Sequence, residues 1–187
     1  MKSKFLFLVL VLAVLAPIGA AQTKQPKTVR DFFNILPTKY FEVGCCDAHD
    51  EPDLVVAHTK YLEHFLRVED TANGYLEGGC DGGQSCIAMT LFKKPDGNYI
   101  VGIHTANTMY EDNYFLEYRG GKWYDVASKV VPGFSRDKGY ALPRYGTTVE
   151  VLSTRVIERI SPTQVIRETG PKLYDLVWRN GKFTIKK

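Results

Sequence analysis

From Ile87 to Val126 the chain spells two β-hairpins in succession, and this stretch constrains what the rest can fold into more than any other. Ile87-Ala88-Met89-Thr90-Leu91-Phe92-Lys93 is apolar or alternating, Pro95-Asp96-Gly97-Asn98 supplies turn chemistry, and Tyr99-Ile100-Val101-Gly102-Ile103 returns as a strand. Tyr114-Phe115-Leu116-Glu117-Tyr118 is then rich in β-formers, Gly120-Gly121 can take the positive φ of a tight turn, and Lys122-Trp123-Tyr124-Asp125-Val126 comes back. Hairpins impose antiparallel pairing, so the chain is expected to be built on antiparallel β-structure.

The first residues read as an address. Lys2 and Lys4 precede an apolar run from Phe5 to Leu15 and a small-residue cleavage site at Gly19-Ala20-Ala21. Cleavage is expected after Ala21. That run is shorter than the roughly 20 residues needed to span a bilayer, so no permanent membrane span is expected. Cys45, the first cysteine, lies too far downstream to be lipidated at such a site. The expected organisation is a signal peptide over 1–21, a flexible leader over 22–27, and a single disulfide-linked α+β domain over 28–187, exported to the periplasm or beyond the cell. Without Lys2 and Lys4 the 24 basic residues become 22 against 21 acidic ones, and a charge so near zero offers no field for nucleic acid.

Cys45, Cys46, Cys80 and Cys86 form an even set in an exported chain, which points to two disulfides with three connectivities open. A vicinal Cys45–Cys46 bridge distorts the peptide between its sulfurs, so the pair is expected to reach to Cys80 and Cys86, in an order the sequence leaves open. Zinc sites want paired ligands two to four residues apart, and five residues separate Cys80 from Cys86. No metal or other cofactor is expected.

Two helices should precede the hairpins. Thr28 can cap a short one, with Asp31 three residues on and a greasy side made by Phe32, Phe33, Ile35 and Leu36 before Pro37. From Leu54, the residues Val55, His58, Tyr61, Leu62, Phe65 and Leu66 recur at helical spacing. The acidic stretch Asp47 to Asp53 before it lacks the glycine and closing glutamate of a calcium loop and suits helix capping better. Asn73-Gly74 marks a turn between Arg67–Asp70 and Tyr75–Glu77, a small hairpin. Residues 130–146, punctuated by Pro132-Gly133, Gly139, Pro143 and Gly146, read as one irregular loop. Thr147 to Ile160 reads as a long strand, and Val165-Ile166-Arg167 and Leu173 to Phe183 as two further β-segments.

Phe115-Leu116-Glu117-Tyr118-Arg119-Gly120-Gly121-Lys122-Trp123 is echoed sixty residues later by Asp175-Leu176-Val177-Trp178-Arg179-Asn180-Gly181-Lys182-Phe183. Both are hairpins with a tryptophan flanking the turn. The echo is equally consistent with a duplicated unit and with shared hairpin grammar. The expected fold is therefore α+β: an antiparallel sheet, as a sandwich or an open barrel of two similar hairpin units, with two N-terminal helices packed on it.

The pattern Asp31-Phe32-Phe33, Leu36-Pro37, Tyr40-Phe41, Asn73-Gly74-Tyr75-Leu76 and Phe92-Lys93-Lys94-Pro95-Asp96-Gly97 resembles a group of uncharacterised exported bacterial proteins over most of the mature chain. Its marks are structural, and the resemblance transfers no activity.

Chemistry has few footholds. No Gly-x-Ser-x-Gly elbow and no His-Glu-x-x-His motif is present, and the glycine-rich stretch 78–83 lacks the Gly-Lys-Ser/Thr ending of a phosphate cradle. Cys45 or Cys46 beside His49 could make a nucleophile, but oxidation into bridges competes with it. The strongest catalytic grouping is His104 with Glu111 and Asp112, near Asn107 and Tyr110, where a histidine beside carboxylates could act as general base in a cup-shaped fold. The competing expectation is recognition without chemistry. Tyr110, Tyr118, Trp123 and Tyr124 offer large contact area at low entropic cost, for an unknown protein or envelope component. A contiguous exposed aromatic patch would favour binding, and a deep pocket around His104 an enzyme.

Overall fold

The structure, a computed structural model, describes residues 25–40, 54–79, 86–106, 111–159 and 165–186. Six strands follow one another as an antiparallel meander: β1 (Leu66–Asp70), β2 (Tyr75–Gly78), β3 (Cys86–Lys93), β4 (Tyr99–Ala106), β5 (Glu111–Arg119) and β6 (Lys122–Asp125). Four more make a second meander: β7 (Lys138–Ala141), β8 (Thr148–Arg159), β9 (Val165–Arg179) and β10 (Lys182–Ile185). Among the described residues the helices are few and short: α1 (Val29–Asn34), a 3-10 turn (Thr38–Tyr40), α2 (Leu54–Phe65) and α3 (Ala127–Val130). Among the described residues, no helix is long and apolar enough to cross a membrane.

Two cores flank the six-stranded sheet, because its central strands carry apolar residues on both sides of the pleat. One face presents Leu76, Met89, Val101, Ile103 and Leu116 to Val29, Phe32, Phe33 and Leu36 of the α1 segment and to Tyr61 of α2. The other face presents Phe92, Ile100 and Phe115 to Tyr140, Val149, Val151, Leu176, Trp178 and Phe183 of the second sheet, and to Val126, Ala127 and Val131 around α3. The β3–β4 register explains this division. Phe92 lies opposite Ile100, and Met89 opposite Ile103, so neighbours along each strand alternate between the two cores.

α1 begins where the sequence places it. The Thr28 hydroxyl accepts from the Asp31 amide at 3.1 Å, and the Asp31 carboxylate accepts from the Thr28 amide at 2.9 Å, a reciprocal capping box. The helix is held down twice more, by the Arg30–Glu69 ion pair to β1 and by the Trp123 indole donating to the Ile35 carbonyl at 2.9 Å.

The echoed segments form matching turns. Gly120, Gly121, Asn180 and Gly181 all have positive φ, between 50° and 85°, which two-residue hairpins need to follow the strand twist. Tyr118 lies across from Trp123, and Trp178 across from Phe183. The tryptophans are thus not equivalent, since Trp123 follows its turn and Trp178 precedes its own. Trp178 joins the sheets: its indole donates to the Lys93 carbonyl at 2.7 Å.

Two expectations need correction. Residues 130–146 are not one irregular loop, since α3 ends at Val130 and β7 lies inside the stretch, pairing with β8 through Lys138 to Ala141. Gly139 hid this short edge strand. The β-segments expected at 165–167 and 173–183 belong to one strand, β9, up to Arg179. It runs through Gly170-Pro171 because the β8–β9 register shifts between Leu152 and Thr154, where a residue without an N–H is tolerated. The acidic stretch 47–53 and three of the cysteines lie outside the described residues.

Two substitutions test these contacts. Trp178→Phe keeps most of the ring packing but leaves the Lys93 carbonyl without its donor, so urea unfolding should show a loss of about 1 to 2 kcal/mol. Hydrogen bonding to Arg30 holds the Glu69 carboxyl below its ordinary value of 4.5. A depressed folded-state value gives stabilisation that is complete above the ordinary carboxylate range and lost as pH falls through the folded value. Glu69→Gln should therefore cost about 0.5 kcal/mol at neutral pH, as for a largely exposed pair, and the gap to the unsubstituted protein should close on acidification below pH 4.5.

Candidate functional site

The face of the six-stranded sheet that meets the second sheet changes character along its length. Its apolar half, Phe92, Ile100 and Phe115, is sealed in the second core. Two rows further on, the register sets Glu77, Ala88, His104 and Asn113 side by side across β2, β3, β4 and β5. The next row is Cys86, Ala106 and Glu111. Directly opposed residues share a face, so these side chains all belong to the side on which the second sheet lies.

Here the two sheets do not close on each other, and a cavity of about 400 Å³ remains, lined by Tyr75, Glu77, Ala88, His104 and Glu111 on one side and by Tyr140, Leu142, Leu152 and Thr169 on the other. Ala88 explains the opening. Strands about 4.8 Å apart put the Glu77 and His104 backbones about 10 Å from each other, and only a methyl group stands between them. The inner wall is set by Gly102, where a Cβ would meet Leu142 Cδ2 at 2.9 Å, so the missing side chain is what admits Leu142. Thr90 fixes the same segment by donating its hydroxyl to the Pro143 carbonyl at 3.0 Å.

The polar groups are largely committed to one another. Tyr75 donates to Glu77 Oε2 at 2.7 Å, and Thr169 donates to Glu111 Oε2 at 3.2 Å, which links the two sheets across the cavity. His104 Nδ1 lies 3.2 Å from Asn113 Oδ1 and 3.7 Å from Glu111 Oε1. An amide oxygen can only accept, so Nδ1 carries the hydrogen in this arrangement, and in the neutral ring Nε2 is left as an acceptor. Burial first, and then the hydrogen bond to Glu77, pushes the Tyr75 phenol well above its ordinary pKa, so this hydroxyl remains a donor.

Of the expected catalytic grouping, the structure brings His104 and Glu111 together and leaves Asp112 out. Asp112 pairs with Thr105 one register position away, on the opposite face, and its carboxylate sits 3.6 Å from Arg136. Asn107 and Tyr110 lie outside the described residues. Asn113, Glu77, Tyr75 and Thr169 were not singled out in the sequence. Tyr75 and Glu77, two apart on a strand, carried a same-face signal that alternation alone could have revealed.

Of the aromatic candidates, Tyr118 and Trp123 face each other on one side of the sheet with ring centroids 5.2 Å apart, and Tyr110 lies outside the described residues. Tyr118 and Trp123 are half-buried against the first core, with Trp123 6.0 Å from the Phe32 ring. Tyr124 alternates to the other face and is exposed, with the Arg119 guanidinium 4.4 Å above its ring. Cys86, at the edge of the cavity, is disulfide-bonded to a partner outside the described residues, as Cys45, Cys46 and Cys80 all are. Among the described residues, no three His, Cys, Asp or Glu side chains gather as a metal ion would need. Compared with family models, with curated proteins and with solved structures, the chain matches none.

Replacing Glu77 tests the Tyr75 pairing. Glu77→Gln removes the negative charge and weakens the hydrogen bond that raise the Tyr75 pKa, while burial persists. In an NMR titration of the tyrosine ring signals, the Tyr75 pKa should move down toward its ordinary value of 10.0 without reaching it.

Proposed function

We propose that this chain is an exported, disulfide-linked binding domain that performs no chemistry of its own and takes its ligand between the two sheets. The architecture inferred for it is a two-sheet sandwich with both N-terminal helices packed on one outer face. The observation that carries the reading is the cavity itself, about 400 Å³ with apolar walls and a few convergent polar groups. Two of its hydroxyls serve as internal struts, Tyr75 holding Glu77 and Thr169 holding Glu111, and the third, on Tyr140, is tied to the Ser135 backbone. None of the three donates to His104 as a nucleophile would to its base. The export-signal grammar before Gln22, the even cysteine set and the near-neutral charge of the mature chain support an envelope or extracellular setting and a partner other than nucleic acid.

A second reading, a small hydrolase or isomerase, is favoured by one feature. Asn113 fixes the His104 ring so that Nε2 is an acceptor beside the cavity, with Glu111 3.7 Å from Nδ1 to stabilise an imidazolium. In that case His104 is the general base and Glu111 its electrostatic partner.

Two measurements test the proposal. Mass spectrometry of the exported, non-reduced protein should give an N-terminus at Gln22, no free thiol, and bridges joining Cys45 and Cys46 to Cys80 and Cys86. Titrating envelope extract into the mature protein should shift the Ala88 methyl and His104 imidazole NMR signals saturably while the extract stays chemically unchanged. Consumption of an extract component, abolished by His104→Ala, would establish the enzymatic reading instead.

A further inference from the structure

Resting on the reading of the cavity as a ligand site, we infer that its ligand is an aliphatic diamine or a compound carrying one. The cavity's hydrogen-bonding inventory is one-sided. Among the described residues no lysine or arginine lines it, and its three hydroxyls, on Tyr75, Tyr140 and Thr169, already donate to Glu77, the Ser135 carbonyl and Glu111. What remains toward a ligand is acceptors: carboxylate oxygens of Glu77 and Glu111, the phenol oxygen of Tyr75, and Nε2 of His104. Among the described lining residues, an anion would meet no uncommitted side-chain donor while the imidazole is neutral. A donor-rich cation satisfies the site.

The placement of the acceptors narrows the class. Glu77 stands on β2 and Glu111 on β5, three strands apart, which separates their backbones by about 14 Å across the sheet before each side chain reaches inward. Between the two carboxylates the lining is apolar, with Ala88 below and Leu142 and Leu152 above. A site with a carboxylate at either end and hydrocarbon in the middle complements a methylene chain with an ammonium at each end. A compact cation would reach one carboxylate and leave the other without a counter-charge. The Asn113 amide oxygen takes the Nδ1 hydrogen, so in the neutral imidazole Nε2 is an acceptor for an ammonium.

The test uses the mature full-length protein at low ionic strength with four probes of one length: 1,5-diaminopentane, 1-aminopentane, 1,5-pentanediol and glutarate. The diamine should saturably shift the Ala88 methyl and His104 imidazole signals, with the monoamine about tenfold weaker for the loss of one charge-assisted contact. Glu77→Gln and Glu111→Gln should each weaken the diamine about tenfold, with melting temperatures near that of the unsubstituted protein. Ala88→Leu, which fills the floor without replacing a polar group, should abolish binding and covers the case in which a glutamate variant fails to fold. Glutarate or the diol binding as tightly as the diamine would overturn the inference and leave the cavity standing as a ligand site. Diamine binding unchanged in the glutamate variants would also overturn it. If none of the four probes shifts these signals, the diamine inference falls; the cavity reading falls with it only if envelope extract leaves the same signals unmoved.

Discussion

The register between β3 and β4 is the constraint on which the rest of the molecule depends. Their eight consecutive cross-strand pairs, from Cys86 opposite Ala106 to Lys93 opposite Tyr99, decide which core each side chain enters. Because side chains alternate strictly, a slip of β3 by one residue against β4 would carry Met89 to the second sheet and Phe92 to the helices while Ile103 and Ile100 kept their faces, so every β3 side chain would enter the wrong core. Two different cores, one closed by short helices and one by another sheet, make such a slip costly in both directions. That cost is what specifies a single arrangement, and the short helices need contribute only shape. α1 has six residues, too few to be stable alone, and is held by Phe32 and Phe33 in the core, a capping box, an ion pair and an indole hydrogen bond.

The same register makes the cavity. Along the face toward the second sheet, the rows pass from aromatic and aliphatic residues through Thr90 and Gly102 to Glu77, Ala88, His104 and Asn113. Where the residues are large and apolar the sheets close; where they are small or charged the sheets stay apart. The struts across the gap, Thr169 to Glu111 and Thr90 to Pro143, hold the spacing without filling it. The site and the core are thus two ends of one surface, and a ligand would bind where hydrophobic contact between the sheets gives out.

What could be read from the letters was what is local. The hairpin turns, the capping box at Thr28 and the greasy side of α1 depend on neighbours within a few residues, and each appears where the sequence places it. β7 was hidden because four residues containing a glycine have no periodicity to detect, and their strand character comes from pairing with β8. β9 looked broken because Gly170-Pro171 ordinarily ends a strand, and only a register shift against β8 accommodates it. The site was half legible for the same reason. His104 and Glu111 were singled out as chemically apt residues near each other in sequence, yet Asp112 stood equal to Glu111 until pairing assigned them to opposite faces. Strand alternation joins Glu111 to Asn113 and excludes Asp112, but Glu77 and Thr169 come from distant strands, and nothing local announces them.

The central claim, that β4 is covered on both sides and held in one register, is tested most directly by native-state hydrogen exchange on the mature protein. The amides of Val101 and Ile103 should exchange only through global unfolding, with a urea dependence equal to that of the whole-molecule transition, while those of β1 and β6 at the sheet edges open locally. Exchange at Val101 and Ile103 as fast as at the edges, and insensitive to urea, would contradict it, because a strand free to open alone could not be the one to which both cores are fixed.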